Sequence, residues 1–158
     1  MVSIEWCLHQ RNGLEMVEPN ENTSSSYLKM AEESISMLGR VEGSRIWTAT
    51  MTYYIFYYSL YAMMLRIGIK CEIHLCSIQF MKSFLMAFYD PQDIDMLEKS
   101  FKARIDLQYY ADRAVEEKIL QKTRRYCKDF YIKTKDTVSR ISEAKINEVR
   151  EALAKHRP

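Results

Sequence analysis

Between Arg45 and Arg66 the chain runs for twenty residues with no charge, no Gly and no Pro, and few folds accommodate such a run. At about 1.5 Å per residue its length matches the hydrocarbon thickness of a bilayer. Its composition argues against a membrane span. Thr48, Thr50, Thr52 and Ser59, with Tyr53, Tyr54, Tyr57, Tyr58 and Tyr61, spread hydroxyls through its middle, whereas spanning helices keep Tyr near the interfaces. The run therefore predicts a helix of a soluble protein with no membrane contact. A helix without a polar face has to be hidden by protein. Sister helices and a second copy of the chain are expected to cover it, which makes Tyr53, Tyr54, Tyr57, Tyr58 and Tyr61 the expected interface of a homodimer.

The 158 residues suit one domain. With only four Gly and three Pro, turns are few and long helices are favoured. The Thr23 to Ser26 run offers N-caps for a helix with Leu28, Ala31, Ile35 and Leu38 on one stripe and Lys29 paired with Glu33 outside, stopping near Gly39. Ser44 caps the charge-free helix, and Gly68 supplies the left-handed residue at its end. A third helix carries Ile78, Met81, Leu85 and Phe88 and ends before Asp90-Pro91, the cap and first position of a fourth. The fourth is predicted to bury Ile94, Leu97, Phe101, Ile105 and Gln108, with Arg104 beside the seam.

From Glu116 to Ala154 thirty-nine residues contain neither Gly nor Pro, and Leu120, Cys127, Tyr131, Val138, Ile141, Val149 and Leu153 keep a helical period. One helix of that length extends roughly 58 Å, so it either bends near Thr134 to Ser139 or its end projects. The expected fold class is all-α: an antiparallel up-and-down bundle of four to five helices with a long C-terminal helix. Residues 1–24 form an N-terminal arm with a short helix over Ile4 to Gln10, 25–140 the bundle, and 141–158 a C-terminal helical extension.

A net charge of +2 falls short of the balance of a dedicated nucleic-acid binder and excludes neither RNA nor a protein partner. Cys7, Cys71, Cys76 and Cys127 are scattered behind an N-terminus without a signal-peptide pattern, so a reducing cytoplasm is expected.

The string Tyr53-Tyr54-Ile55-Phe56-Tyr57, then Ala62-Met63-Met64-Leu65, Gly68-Ile69 and His74, resembles the signature of the HEPN family, the higher-eukaryote and prokaryote nucleotide-binding domain. That signature reads Tyr-Tyr-Ala-Met-Phe, a leucine run, Gly-Ile and Ser-His. Arg104 with Gln108-Tyr109 falls where the small prokaryotic subfamily places Arg, three residues and Asp-Tyr, and Tyr27 to Glu33 looks like its first helix. The match covers Tyr27 to Ile132. It implies a helical bundle that dimerises and stands beside a minimal nucleotidyltransferase in a toxin–antitoxin-like system. Some members act as metal-independent ribonucleases and others have no known activity. No cofactor and no metal are implied. The resemblance places ligand-binding residues at Arg104, Gln108, Tyr109 and His74, for a nucleotide or RNA.

Ribonuclease members follow the Arg, after four to six residues, with a His, the pair that activates a 2′-hydroxyl and steadies the phosphate. Here Tyr109, Tyr110 and Ala111 stand at those positions, and a phenol, ionising ordinarily near pH 10, is a poor base at neutral pH. The expectation is a module that has lost this catalytic pair, with Arg104 the sole catalytic candidate. An active ribonuclease using Arg104 with Tyr109 or His74, and a purely structural interaction protein, are the alternatives. Arg150 and His156 match the spacing but lie beyond the resembling region.

Each residue also has a plainer reading. Arg104 pairs with a carboxylate across a helix seam, His74 is a hydrogen-bonded structural side chain, and the tyrosines are core or interface rather than a platform for bases. Cys71, His74 and Cys76 lack a fourth ligand and the helical spacing for zinc. Lys122, Arg124, Arg125 and Lys128, diluted by Glu116, Glu117 and Asp129, are a solvated face rather than a contact for RNA.

Overall fold

The computed structural model describes residues 1–157, and among them the fold class is all-α as expected, in seven helices rather than four to five and with one two-stranded sheet. No helix of the described residues is long and apolar enough to cross a membrane. α1 (Ile4–His9) is capped by Ser3, β1 (Glu15–Met16) follows, and α2 (Glu21–Met37) is capped by Asn20, three residues ahead of the Thr-Ser run. α3 (Arg45–Ile67) starts at Ser44, whose side chain accepts from the Trp47 amide, and ends at Gly68 with φ 85°. β2 (Ile69–Lys70) pairs antiparallel with β1, Met16 opposite Ile69. α4 (His74–Phe84), α5 (Pro91–Tyr109), α6 (Glu117–Arg140) and α7 (Glu143–Ala154) complete the chain.

α3 is the axis of the molecule, packed by α2, α5 and α6. Sixteen of its twenty-three residues are buried inside the single chain. This corrects the reasoning that led to a second copy: Tyr53, Tyr57 and Tyr61 are buried by the chain's own helices, and only Tyr54 and Tyr58 of the five tyrosines stay half-exposed. The run has no wet side because α3 is a central helix.

Three further expectations are corrected. The buried face of α5 is Asp93, Met96, Leu97, Ser100, Ala103 and Asp106, whereas Ile94, Phe101 and Ile105 are half-buried and Gln108 is exposed. The stripe shifted because small and charged residues share the inner face; Lys133 and the Tyr126 hydroxyl satisfy the buried Asp93 carboxylate at 2.6 and 2.8 Å. The thirty-nine-residue helix is two helices broken at Ile141-Ser142, just past the predicted bend. Ser142 caps α7, and Ile146, Val149 and Leu153 fold back into the main core, so the end does not project. Arg150 holds it there by donating from Nη1 to the carbonyls of Val17, Ile67 and Gly68.

The arm is part of the core as well. Ile4, Cys7 and Leu14 are buried, and Cys7 forms a disulfide with Cys76 of α4, their Cα atoms 5.6 Å apart. Cys71 and Cys127 remain free and buried.

Candidate functional site

α4 opens on His74, and its N-terminal turn faces the outer side of α3. The Tyr53 hydroxyl lies 2.6 Å from His74 Nδ1, and the Tyr57 ring stacks on the imidazole with centroids 4.1 Å apart and planes 11° apart. Burial, with the Arg104 charge adding to it, pushes the imidazole down to about 4, so the ring is neutral at pH 7. Burial, reinforced by Tyr57, raises the Tyr53 phenol well above its ordinary range, so it keeps its proton. Both groups are therefore neutral, and they share one hydrogen bond whose donor is set by the imidazole tautomer.

Arg104 approaches from α5. Its guanidinium lies 5.3 Å from the Tyr53 ring centroid, 5.2 Å from Tyr54 and 5.8 Å from Tyr109, all within cation–π range. Nη2 donates to the hydroxyls of Tyr54 at 3.5 Å and Tyr109 at 3.4 Å, both long. Nε is buried with no hydrogen-bond partner. Among the described residues Arg104 has no carboxylate partner, and no acidic side chain lines its surroundings; Asp106, two residues on along α5, pairs with Lys102 and Arg113 instead. Arg104 is thus a half-buried guanidinium surrounded by rings and short of acceptors.

The two side chains line one open hollow of about 380 Å³ with Tyr54, Ile73, Leu75, Phe101, Ile105, Tyr109 and Tyr110. The hollow contains no carboxylate, and its polar groups are Arg104, His74 and the phenols. Tyr109 and Tyr110 are exposed on its rim. Such a wall attracts an anion and presents flat rings to a base.

The structure thus brings His74, Arg104 and Tyr109 together. Gln108 is exposed and outside the lining, so it does not join them. Tyr53 and Tyr57, expected at a dimer contact, form the floor under His74. The Arg150 and His156 pair is occupied elsewhere, Arg150 on three carbonyls and His156 on Glu5 at 2.8 Å, which holds the Glu5 carboxyl below its usual range. Cys76 is in a disulfide, which removes it from any zinc set, and no group of three His, Cys, Asp or Glu among the described residues is placed to hold a metal. The roles of Phe101, Leu75 and Tyr110 had no sequence signal beyond an apolar or aromatic side chain near a candidate. No family model, curated protein or solved structure matches the chain.

Proposed function

We propose that the chain is a HEPN-type module that binds the phosphate of a nucleotide or of RNA in the Arg104 hollow and lacks ribonuclease activity. The observation that supports this reading is the unpaired Arg104 guanidinium inside a hollow without carboxylates. A cation left without a partner when partly desolvated is stabilised by any anion that reaches it. Tyr109 and Tyr110 add faces for a base. The expected result of calorimetry with ATP and other nucleotides is measurable binding that Arg104→Ala weakens at least tenfold, about 1.4 kcal/mol. Equal heats from the two proteins would remove Arg104 from the site.

The rival is a ribonuclease that pairs Arg104 with His74, favoured by their shared hollow. Against it stands the imidazole, pushed down to about 4 and with Nδ1 engaged by Tyr53, which makes it a weak base and an absent acid at neutral pH. Incubating the pure protein with total tRNA beside Arg104→Ala decides: cleavage lost with the arginine establishes the enzyme.

The reading also includes a second copy of the chain and a minimal nucleotidyltransferase as partners. Trp47, Ile46 and Leu75 are exposed apolar side chains consistent with a contact surface, and light scattering after gel filtration measures the copy number. A cytoplasmic home is harder to reconcile with the Cys7–Cys76 bond, since reducing compartments keep thiols apart. Alkylation of the protein taken directly from cells reads which state it holds.

A further inference from the structure

The two halves of α6 treat their cations differently. In the C-terminal half Lys133 pairs with Asp90 and Asp93, Lys135 with Glu32 and Arg140 with Asp136. In the N-terminal half Lys118, Lys122, Arg125 and Lys128 have no carboxylate partner among the described residues, and Arg124, which pairs with Glu42, keeps a buried Nε without a hydrogen bond. Lys118 moreover sits in the first turn, where the helix dipole disfavours a cation. A merely solvated face would distribute its charges as the other half does.

Three adjoining hollows of about 280, 590 and 360 Å³ open along this half, and Arg125 lines all of them. Their walls carry six cations, the five of α6 and Arg45, against Glu42, Glu117 and Asp129. That excess of three exceeds the +2 of the whole chain, so the rest of the molecule is slightly acidic and the positive field is concentrated here.

We infer that the N-terminal half of α6 is a docking surface for the phosphodiester backbone of a nucleic-acid strand. From Lys118 to Lys128 the cations cover about 15 Å of helix axis, alongside about four successive phosphates of one strand. Successive hollows around a shared arginine suit a polymer better than a compact anion, which one hollow would satisfy. A protein partner needs apolar or aromatic anchors, and none of the molecule's exposed large apolar side chains lines this surface. The surface shares no residue with the Arg104 hollow and stands or falls independently of it.

The test is fluorescence anisotropy with labelled single strands of about twelve nucleotides, RNA and DNA, titrated from about 50 mM salt upward. Backbone recognition predicts similar binding of both, with log K falling against log salt at a slope of about −2 to −3. A Lys118→Glu, Lys122→Glu, Arg125→Glu triple variant, exposed positions that should leave the circular dichroism spectrum intact, is expected to lose more than tenfold and flatten the slope. Arg125→Gln alone is expected to reduce the slope by about 0.7. Arg140→Gln, which removes a paired cation, should bind as wild type does. Absence of binding at the lowest salt, or a triple variant equal to wild type, overturns the inference. So does a polyglutamate peptide that binds as tightly as the oligonucleotides, which assigns the surface to an acidic protein.

Discussion

Acidification charges His74 in the unfolded chain before it does so in the folded one. The unfolded imidazole takes its proton near pH 6.5, whereas the folded ring, desolvated and beside Arg104, waits until about 4. Between those values the unfolded state binds more protons, so stability is complete above pH 6.5 and falls as the pH drops through the window. For a ring that is partly exposed, solvent screening leaves a loss of about 1–2 kcal/mol. Urea unfolding at pH 7 and pH 4.5 should show this difference in wild type and a smaller one in His74→Gln, and an NMR titration should place the folded midpoint near 4. Tyr53→Phe removes the hydrogen bond to Nδ1 and should destabilise the fold by about 1–2 kcal/mol at pH 7. At this scale Arg104, His74 and Tyr109 were candidates only through the resemblance their order carries. That Arg104 lacks a carboxylate was not legible, because pairing depends on which acidic side chains the neighbouring helices bring within reach, and they bring none to the Arg104 hollow.

Helix ends were the elements most plainly written in the chain. Ser44, Gly68 and the Asp90-Pro91 pair bound α3 and α5 where expected, since caps act on their own backbone within a turn. Gly68 is fixed twice, by φ 85° and by crowding: a Cβ there would lie 2.3 Å from Arg150 Nη1 and 2.4 Å from the Val17 carbonyl oxygen. Gly68→Ala should therefore cost about 3 kcal/mol and lower the melting temperature by roughly 6–12 °C. Gly43→Ala, where a Cβ meets nothing within 4 Å, is the control and should change little. Faces were harder to read than ends. The α5 stripe slipped because Ser100, Asp93 and Asp106 are buried on hydrogen bonds that an apolar count ignores. The α6–α7 break lies just past the bend expected at Thr134 to Ser139, because its cap, Ser142, carries no Gly or Pro beside it to fix the position in the sequence.

For the molecule as a whole, the Cys7–Cys76 bond closes a loop of 69 residues around α2 and α3. Such closure restricts the unfolded chain by about 4 kcal/mol. Reduction with a phosphine, or Cys7→Ser with Cys76→Ser, should lower the melting temperature by roughly 8–16 °C. Unchanged melting would mean that the buried Ile4 and Leu14, the β1–β2 pairing and Arg150 hold the arm without the bond. The sequence by itself determined that the chain is helical, where α3 begins and ends and where α5 begins, because caps, Gly, Pro and periodicity act over a few residues. Only the tertiary structure decided that α3 is covered from within, that the C-terminal end folds back, that Cys7 meets Cys76, and that Arg104 faces a hollow without a counter-charge. Each of these depends on groups brought together from distant parts of the chain, and a local pattern of residues carries no record of which surfaces will meet.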